Sequence, residues 1–157
     1  MSWVAALNKP IDNAGFVNKG LSDSQSLNKV WLCAGILLAA TAVMLGAFGA
    51  HGLKAILAPS ALATFEIGVR YQMYHGLAII ALPALSAYVS PKWLNAVAAL
   101  YVIGCALFSG SLYLLAITGN GLFGPITPLG GLCFIIGWIA LAIAIVNGKT
   151  SKGKSND

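Results

Sequence analysis

WLNAVAALYVIGCALFSGSLYLLAITGNGLFGPITPLGGLCFIIGWIALAIAIVNG, residues 93–148, runs for 56 positions without one charged side chain. A membrane-spanning helix needs about 20 predominantly apolar residues. The stretch therefore has room for two, divided by the Gly/Pro-rich segment 119–131. Moving toward the N-terminus, 21 uncharged residues lie between Arg70 and Lys92, and 24 lie between Lys29 and Lys54. Each of these holds one further span. The expected architecture is all-α, an integral membrane four-helix bundle with spans over about 30–50, 71–90, 95–117 and 129–147.

The composition agrees with this pattern. The chain has 157 residues, 59% of them hydrophobic and 8% charged, whereas soluble domains carry about 25% charged residues. Its polar surface is too small to face water over most of the fold, so lipid is the expected solvent. Cys33, Cys105 and Cys133 all fall inside spans. Without Cys-x-x-Cys spacing or a histidine partner, they read as small packing residues. Met1 to Leu7 is too short, and lacks a preceding basic region, to be a secretory signal.

Orientation follows from the placement of lysine and arginine. With four spans, both termini and the 91–94 connection share one side, which near the helix ends carries Lys19, Lys29, Lys92, Lys149, Lys152 and Lys154. The opposite side has Lys54 and Arg70, with Glu66 offsetting one of them. Six against two makes this a multi-pass inner-membrane protein with both termini cytoplasmic. The net charge of +5 is thereby accounted for without nucleic acid as a partner. The domain plan is a flexible polar N-terminal arm (1–28), a transmembrane domain (29–148) and a basic cytoplasmic tail (149–157).

The segment after the first span is the most unusual. Gly52 is an expected helix stop in the left-handed conformation. Pro59-Ser60 is an expected start, with proline in the first turn and serine as cap. From there the helical pattern continues into the second span. One helix of about 30 residues, about 45 Å, exceeds the hydrocarbon thickness of about 30 Å. The second helix should therefore extend beyond the outer leaflet, and Pro83 should kink it.

Polar groups gather near that side: His51, Glu66, Arg70, Tyr71, Gln72 and His75, with Ser109, Ser111 and Thr127 on later spans. Glu66 and Arg70 are spaced for an i, i+4 ion pair. The plain reading is a structural pair at the membrane surface; the sharper one makes Arg70 an anchor for a lipid phosphate or other anionic ligand. Gln72 and His75 share a helix face. Intramembrane ionisable residues are functional candidates by default, yet a neutral histidine bonded to Ser109 or Ser111 would explain His75 equally. His51 suits the negative end of a helix dipole. Glu66 and His75, nine positions apart, point to nearly opposite faces. No metal-ligand spacing, nucleophile–base set or phosphate-binding fingerprint is present, so neither a metal, a cofactor nor a catalytic residue is expected.

Four motifs occur in order: Gly46-Ala47-Phe48-Gly49-Ala50-His51-Gly52-Leu53; Phe65-Glu66 with Val69-Arg70-Tyr71-Gln72-Met73-Tyr74-His75; Phe108-Ser109-Gly110-Ser111-Leu112-Tyr113; and Ile126-Thr127-Pro128-Leu129-Gly130-Gly131, followed by Gly137-Trp138. Over about residues 30–147 the chain resembles a domain-of-unknown-function family of small membrane proteins. That family includes bacterial inner-membrane proteins and the animal relatives called transmembrane protein 256. The resemblance implies four membrane helices and no established activity. Residues 1–28 look like an addition to the family's usual length. Gly68 and Gly76 stand where alanine is more usual, which should loosen the second helix slightly.

Two functional expectations follow. The first is an accessory, assembly or interaction subunit, whose small-residue helix faces pack against lipids and other membrane proteins. The alternative is a small-solute or lipid-binding transporter or channel formed as a homo-oligomer, with Gln72, His75, Ser109 and Thr127 lining a common cavity. A membrane-embedded enzyme using His75 lacks a partner group. The apolar loop 118–131 is further expected to fold back as a cap, its carbonyls taking hydrogen bonds from Arg70, Lys54, Gln72 and the histidines.

Overall fold

The computed structural model describes residues 13–148, and no strand occurs among them. Four helices run in sequence: α1 (Asn13–His51), α2 (Pro59–Ala81), α3 (Pro91–Thr118) and α4 (Ile126–Val146). The segments Lys29–Ala55, Pro91–Thr118 and Gly121–Val146 are long and apolar enough to cross a membrane. The more polar α2 lies antiparallel along α1. Gly35 meets Gly76 and Ile80 at one end, and Gly49 meets Phe65 at the other. These contacts span 14 residues of α1, about 21 Å, so α2 runs beside it over that length.

Several boundaries differ from those read in the sequence. No proline interrupts residues 13–51, and α1 accordingly continues back through Lys29 to Asn13, 39 residues in all. The second half of the expected flexible arm is thus helical backbone. Residues 1–12 and the basic tail 149–157 lie outside the described residues. Gly52 does not stop α1 in a left-handed conformation: its φ is −81° and its N–H donates to the Phe48 carbonyl. The left-handed cap is at Gly119, φ +66°, closing α3. At the start of α2 the cap position is Ala58, and Ser60 is inside the helix, where its carbonyl accepts from the Thr64 hydroxyl at 3.0 Å.

The long second helix is present. The 23 residues of α2 lead directly into six residues of 3-10 helix, Leu82–Ala87. Pro83 is in the first turn of that segment, where a missing N–H is tolerated. Pro59 lies six residues, about 9 Å, beyond Phe65, so the start of α2 overshoots the end of α1.

α3 is not uniform. Its middle turn, Cys105–Ser109, is a π-helix, and the Gly110 N–H reaches back five residues to the Cys105 carbonyl. Against this widened turn Gly130 of α4 is packed so closely that a Cβ there would run into the Phe108 backbone nitrogen. α3 and α4 stay antiparallel in contact from there to Tyr101 and Gly137. Between the helices, Ile79, Leu82, Val97, Tyr101, Phe134 and Leu141 form the main apolar core.

Gly68 and Gly76 do not loosen α2. A side chain at Gly68 would meet the Tyr113 ring at 2.7 Å, and one at Gly76 the Ala39 nitrogen at 3.0 Å. They are where neighbouring helices come closest, as small residues in membrane bundles allow. We predict that Gly130→Ala lowers the thermal stability of the detergent-solubilised protein by about 1–3 kcal/mol through overpacking. Gly110→Ala, where a Cβ meets nothing within 4 Å, should cause no loss. Equal melting of both variants would refute the close-approach account.

Candidate functional site

α2 positions the polar centre through the spacing of its buried residues: Phe65, Gly68, Gln72, His75, Gly76 and Ile79. Steps of three and four place them on one helical stripe, and that stripe faces the other helices. Gln72 and His75 therefore point inward, although Glu66 and Arg70 on the same helix are exposed.

Gln72 is the junction of three helices. Its amide nitrogen donates to the Leu38 carbonyl at 2.9 Å and to the Thr41 hydroxyl at 2.7 Å, both on α1. Its amide oxygen accepts from the Tyr113 hydroxyl of α3 at 2.9 Å. Thr41 in turn donates to the Leu37 carbonyl at 2.7 Å. Both ends of the amide are occupied by protein partners: the two N–H donors are used, and the oxygen accepts from Tyr113.

His75 is equally committed. Its Nδ1 lies 2.8 Å from the Tyr71 carbonyl, and Trp138 Nε1 lies 3.1 Å from its Nε2. The indole can only donate, so Nε2 must accept and Nδ1 must carry the proton, which assigns a neutral ring. The ring stacks on Phe134 with centroids 3.5 Å apart and meets the edge of Tyr101 at 5.1 Å. The partners expected from the sequence, Ser109 and Ser111, are not the ones used.

Ser111 and Thr127 form a separate bridge between α3 and α4. Ser111 Oγ donates to the Phe108 carbonyl at 2.9 Å, leaving Thr127 to donate to it across 2.7 Å. Ser109 is buried inside the π turn, and its Oγ, like the Tyr101 hydroxyl, has no partner among the described residues. A last polar tie, Trp31 Nε1 to Asn95 Oδ1 at 3.0 Å, holds α1 to α3.

The remaining candidates face outward. His51 is exposed at the end of α1. Glu66 and Arg70 make one contact of 3.5 Å, with side chains 51% and 59% exposed. Tyr71 lies at the surface with its ring 4.6 Å from Phe108. The nine candidate residues thus fall into three groups rather than one site: an inward Gln72–His75 centre, a Ser111–Thr127 bridge beside Ser109, and an outer face.

The loop after α3 does not cap these residues with hydrogen bonds. Its backbone is satisfied locally: Gly119 N–H bonds to Leu115, Leu122 N–H to the Asn120 side chain, and Gly124 N–H to Gly121. Thr127 N–H reaches Gly124, and α4 begins at Ile126. So short a loop needs no donor from Arg70 or the histidines, and Leu122 stays 79% exposed.

Among the described residues the clefts include the following three. One of about 410 Å³ lies among Tyr88, Ser90, Trp93 and Asn147. A second, of about 240 Å³, includes Glu66 and Arg70, and a third is a small gap of about 10 Å³ beside Trp31 and Pro83. None is lined by Gln72, His75, Ser109, Ser111 or Thr127. Among the described residues no three His, Cys, Asp or Glu side chains converge on a metal-sized space.

Sequence reasoning missed Thr41, Phe134 and Trp138. Thr41 was legible as a lone hydroxyl in the first span, and Trp138 as an indole N–H placed in mid-span, since buried donors need acceptors.

The family described as "Protein of unknown function (DUF423)" matches residues 45–131. The UPF0382 membrane protein SSP2132 of Staphylococcus saprophyticus is 46% identical over 73% of this chain and 95% of its own length. YwdK, a UPF0382 membrane protein of Bacillus subtilis, is 43% identical over 75% and 97%. A UPF0382 membrane protein of Haemophilus influenzae is 45% identical over 69% and 86%. No solved structure matches.

The Gln72 junction generates a prediction. In a double-mutant cycle, Gln72→Leu and Tyr113→Phe should couple by about 0.6 kcal/mol and no more than about 1.7, the range for hydrogen bonds between membrane helices. Unfolding of the four variants in one detergent measures it, and additive effects would refute a bond between these side chains.

Proposed function

The chain belongs to the DUF423 family of small membrane proteins, whose description assigns no activity, and from that premise we propose that it serves as an accessory or assembly subunit packing against other membrane proteins. The observation that carries this reading is the outer face of α1. Cys33, Ala40 and Ala47 are all exposed there at seven-residue spacing. Ile36, Leu37, Val43 and Met44 flank them, each more than half exposed. Small residues repeated every seven positions, between larger apolar ones, suit the close left-handed approach of another membrane helix.

The interior supports the same reading. Gln72, and His75 through its Nε2, the groups best suited to chemistry or solute binding, make hydrogen bonds between helices, and His75 Nδ1 is held by its own helix. None of the three clefts described above joins Gln72, His75, Ser109 and Thr127, the residues a homo-oligomeric channel or transporter was expected to use. The distribution of lysines favours an inner-membrane location with both termini in the cytoplasm.

Affinity capture of the full chain in mild detergent and in native nanodiscs tests the proposal. The expected result is a membrane protein recovered in stoichiometric amount and lost with Ala40→Trp or Ala47→Trp, while the melting temperature stays unchanged because both positions face outward. Recovery of this chain alone in every condition, or capture insensitive to both substitutions, would overturn it.

A further inference from the structure

The cleft of about 240 Å³ between α1 and α2 is lined by Gly46, Gly49, Phe65, Glu66, Val69 and Arg70. We propose that it is a binding site for a zwitterionic phospholipid whose headgroup carries both a phosphate and a primary ammonium. This goes beyond the partner proposal, which concerns the outer face of α1, and either can fail without the other.

Depth is the first argument. Gly46 is five residues before His51, the last residue of α1, so the cleft opens about 7.5 Å below the helix end. A cleft this near the end of a spanning segment is within reach of a lipid headgroup. Its apolar floor is made by two glycines, where α1 offers no side chain, with Phe65 and Val69 as the facing walls.

Charge is the second argument. Glu66 and Arg70 stand at the rim, and their single 3.5 Å contact is at the limit of a hydrogen bond. The guanidinium has five N–H donors and the carboxylate two acceptor oxygens. Most of these are turned outward in side chains more than half exposed. A phosphate accepts a bidentate pair from Arg70, and an ammonium donates to the Glu66 carboxylate. A purely anionic headgroup would satisfy Arg70 and be repelled by Glu66, so the acid supplies the discrimination. A trimethylated ammonium has no N–H to donate and satisfies Glu66 less well.

Native mass spectrometry of the purified full chain, exchanged into an equimolar mixture of phosphatidylethanolamine and phosphatidylglycerol with identical acyl chains, is the test. The wild type should retain phosphatidylethanolamine in about fivefold preference, equivalent to about 1 kcal/mol. Glu66→Gln should bring the ratio to about one by raising phosphatidylglycerol. Arg70→Gln should lower retention of both, and Lys54→Gln, outside the cleft, should change neither. A second series needs no variant: replacing phosphatidylethanolamine with phosphatidylcholine should weaken retention by the wild type. Equal or better retention of phosphatidylglycerol or phosphatidylcholine by the wild type would overturn the proposal, as would a ratio that Glu66→Gln leaves unmoved.

Discussion

A glutamine amide in hydrocarbon must find partners for both of its ends, and in this chain the requirement is met by three helices at once. Gln72 can reach the Leu38 carbonyl only because α1 and α2 run unusually close, with Gly35 against Gly76 at one side of the junction. Tyr113 can reach the other end of the amide only because Gly68 leaves room for its ring. Backbone proximity and polar satisfaction are therefore one device. The glycines bring the helices together, and the hydrogen bonds fix their rotation.

The same logic repeats on the other side of the bundle. The π turn in α3 widens the backbone where Gly130 of α4 presses against Phe108, and the Ser111–Thr127 bridge forms beside that contact. His75 joins the two halves, bonded to its own helix through Tyr71 and to α4 through Trp138, with Phe134 stacked on its face. A histidine held in this way is a packing element with a polar rim. Its neutrality follows from having one donor and one acceptor on opposite ring nitrogens, each matched.

These commitments divide the molecule by role. Gln72 and His75 are held by protein partners in the centre, and the outer seam of α1 and the α1–α2 cleft with its exposed ion pair are left facing outward. Both are properties of helix faces that the bundle does not consume.

Residence in the membrane and the number of helices were determined by the sequence alone. These depend on hydropathy, which is additive along the chain: 56 uncharged residues in a row admit few solutions. The long α2 was legible for a similar reason, since Pro59 opens a helical pattern that nothing breaks before Pro83. Which polar groups meet was decided only by the tertiary structure. His75 was matched in sequence with Ser109 or Ser111, yet it found Trp138, because partner choice depends on helix rotation and separation. Both are set by contacts such as Gly35 with Gly76 and Gly130 with Phe108, whose partners are far apart in the chain. The loop after α3 illustrates the same division. Its apolar composition suggested a cap, but short-range turns satisfied its backbone first, and local hydrogen bonds left the distant donors free for other work.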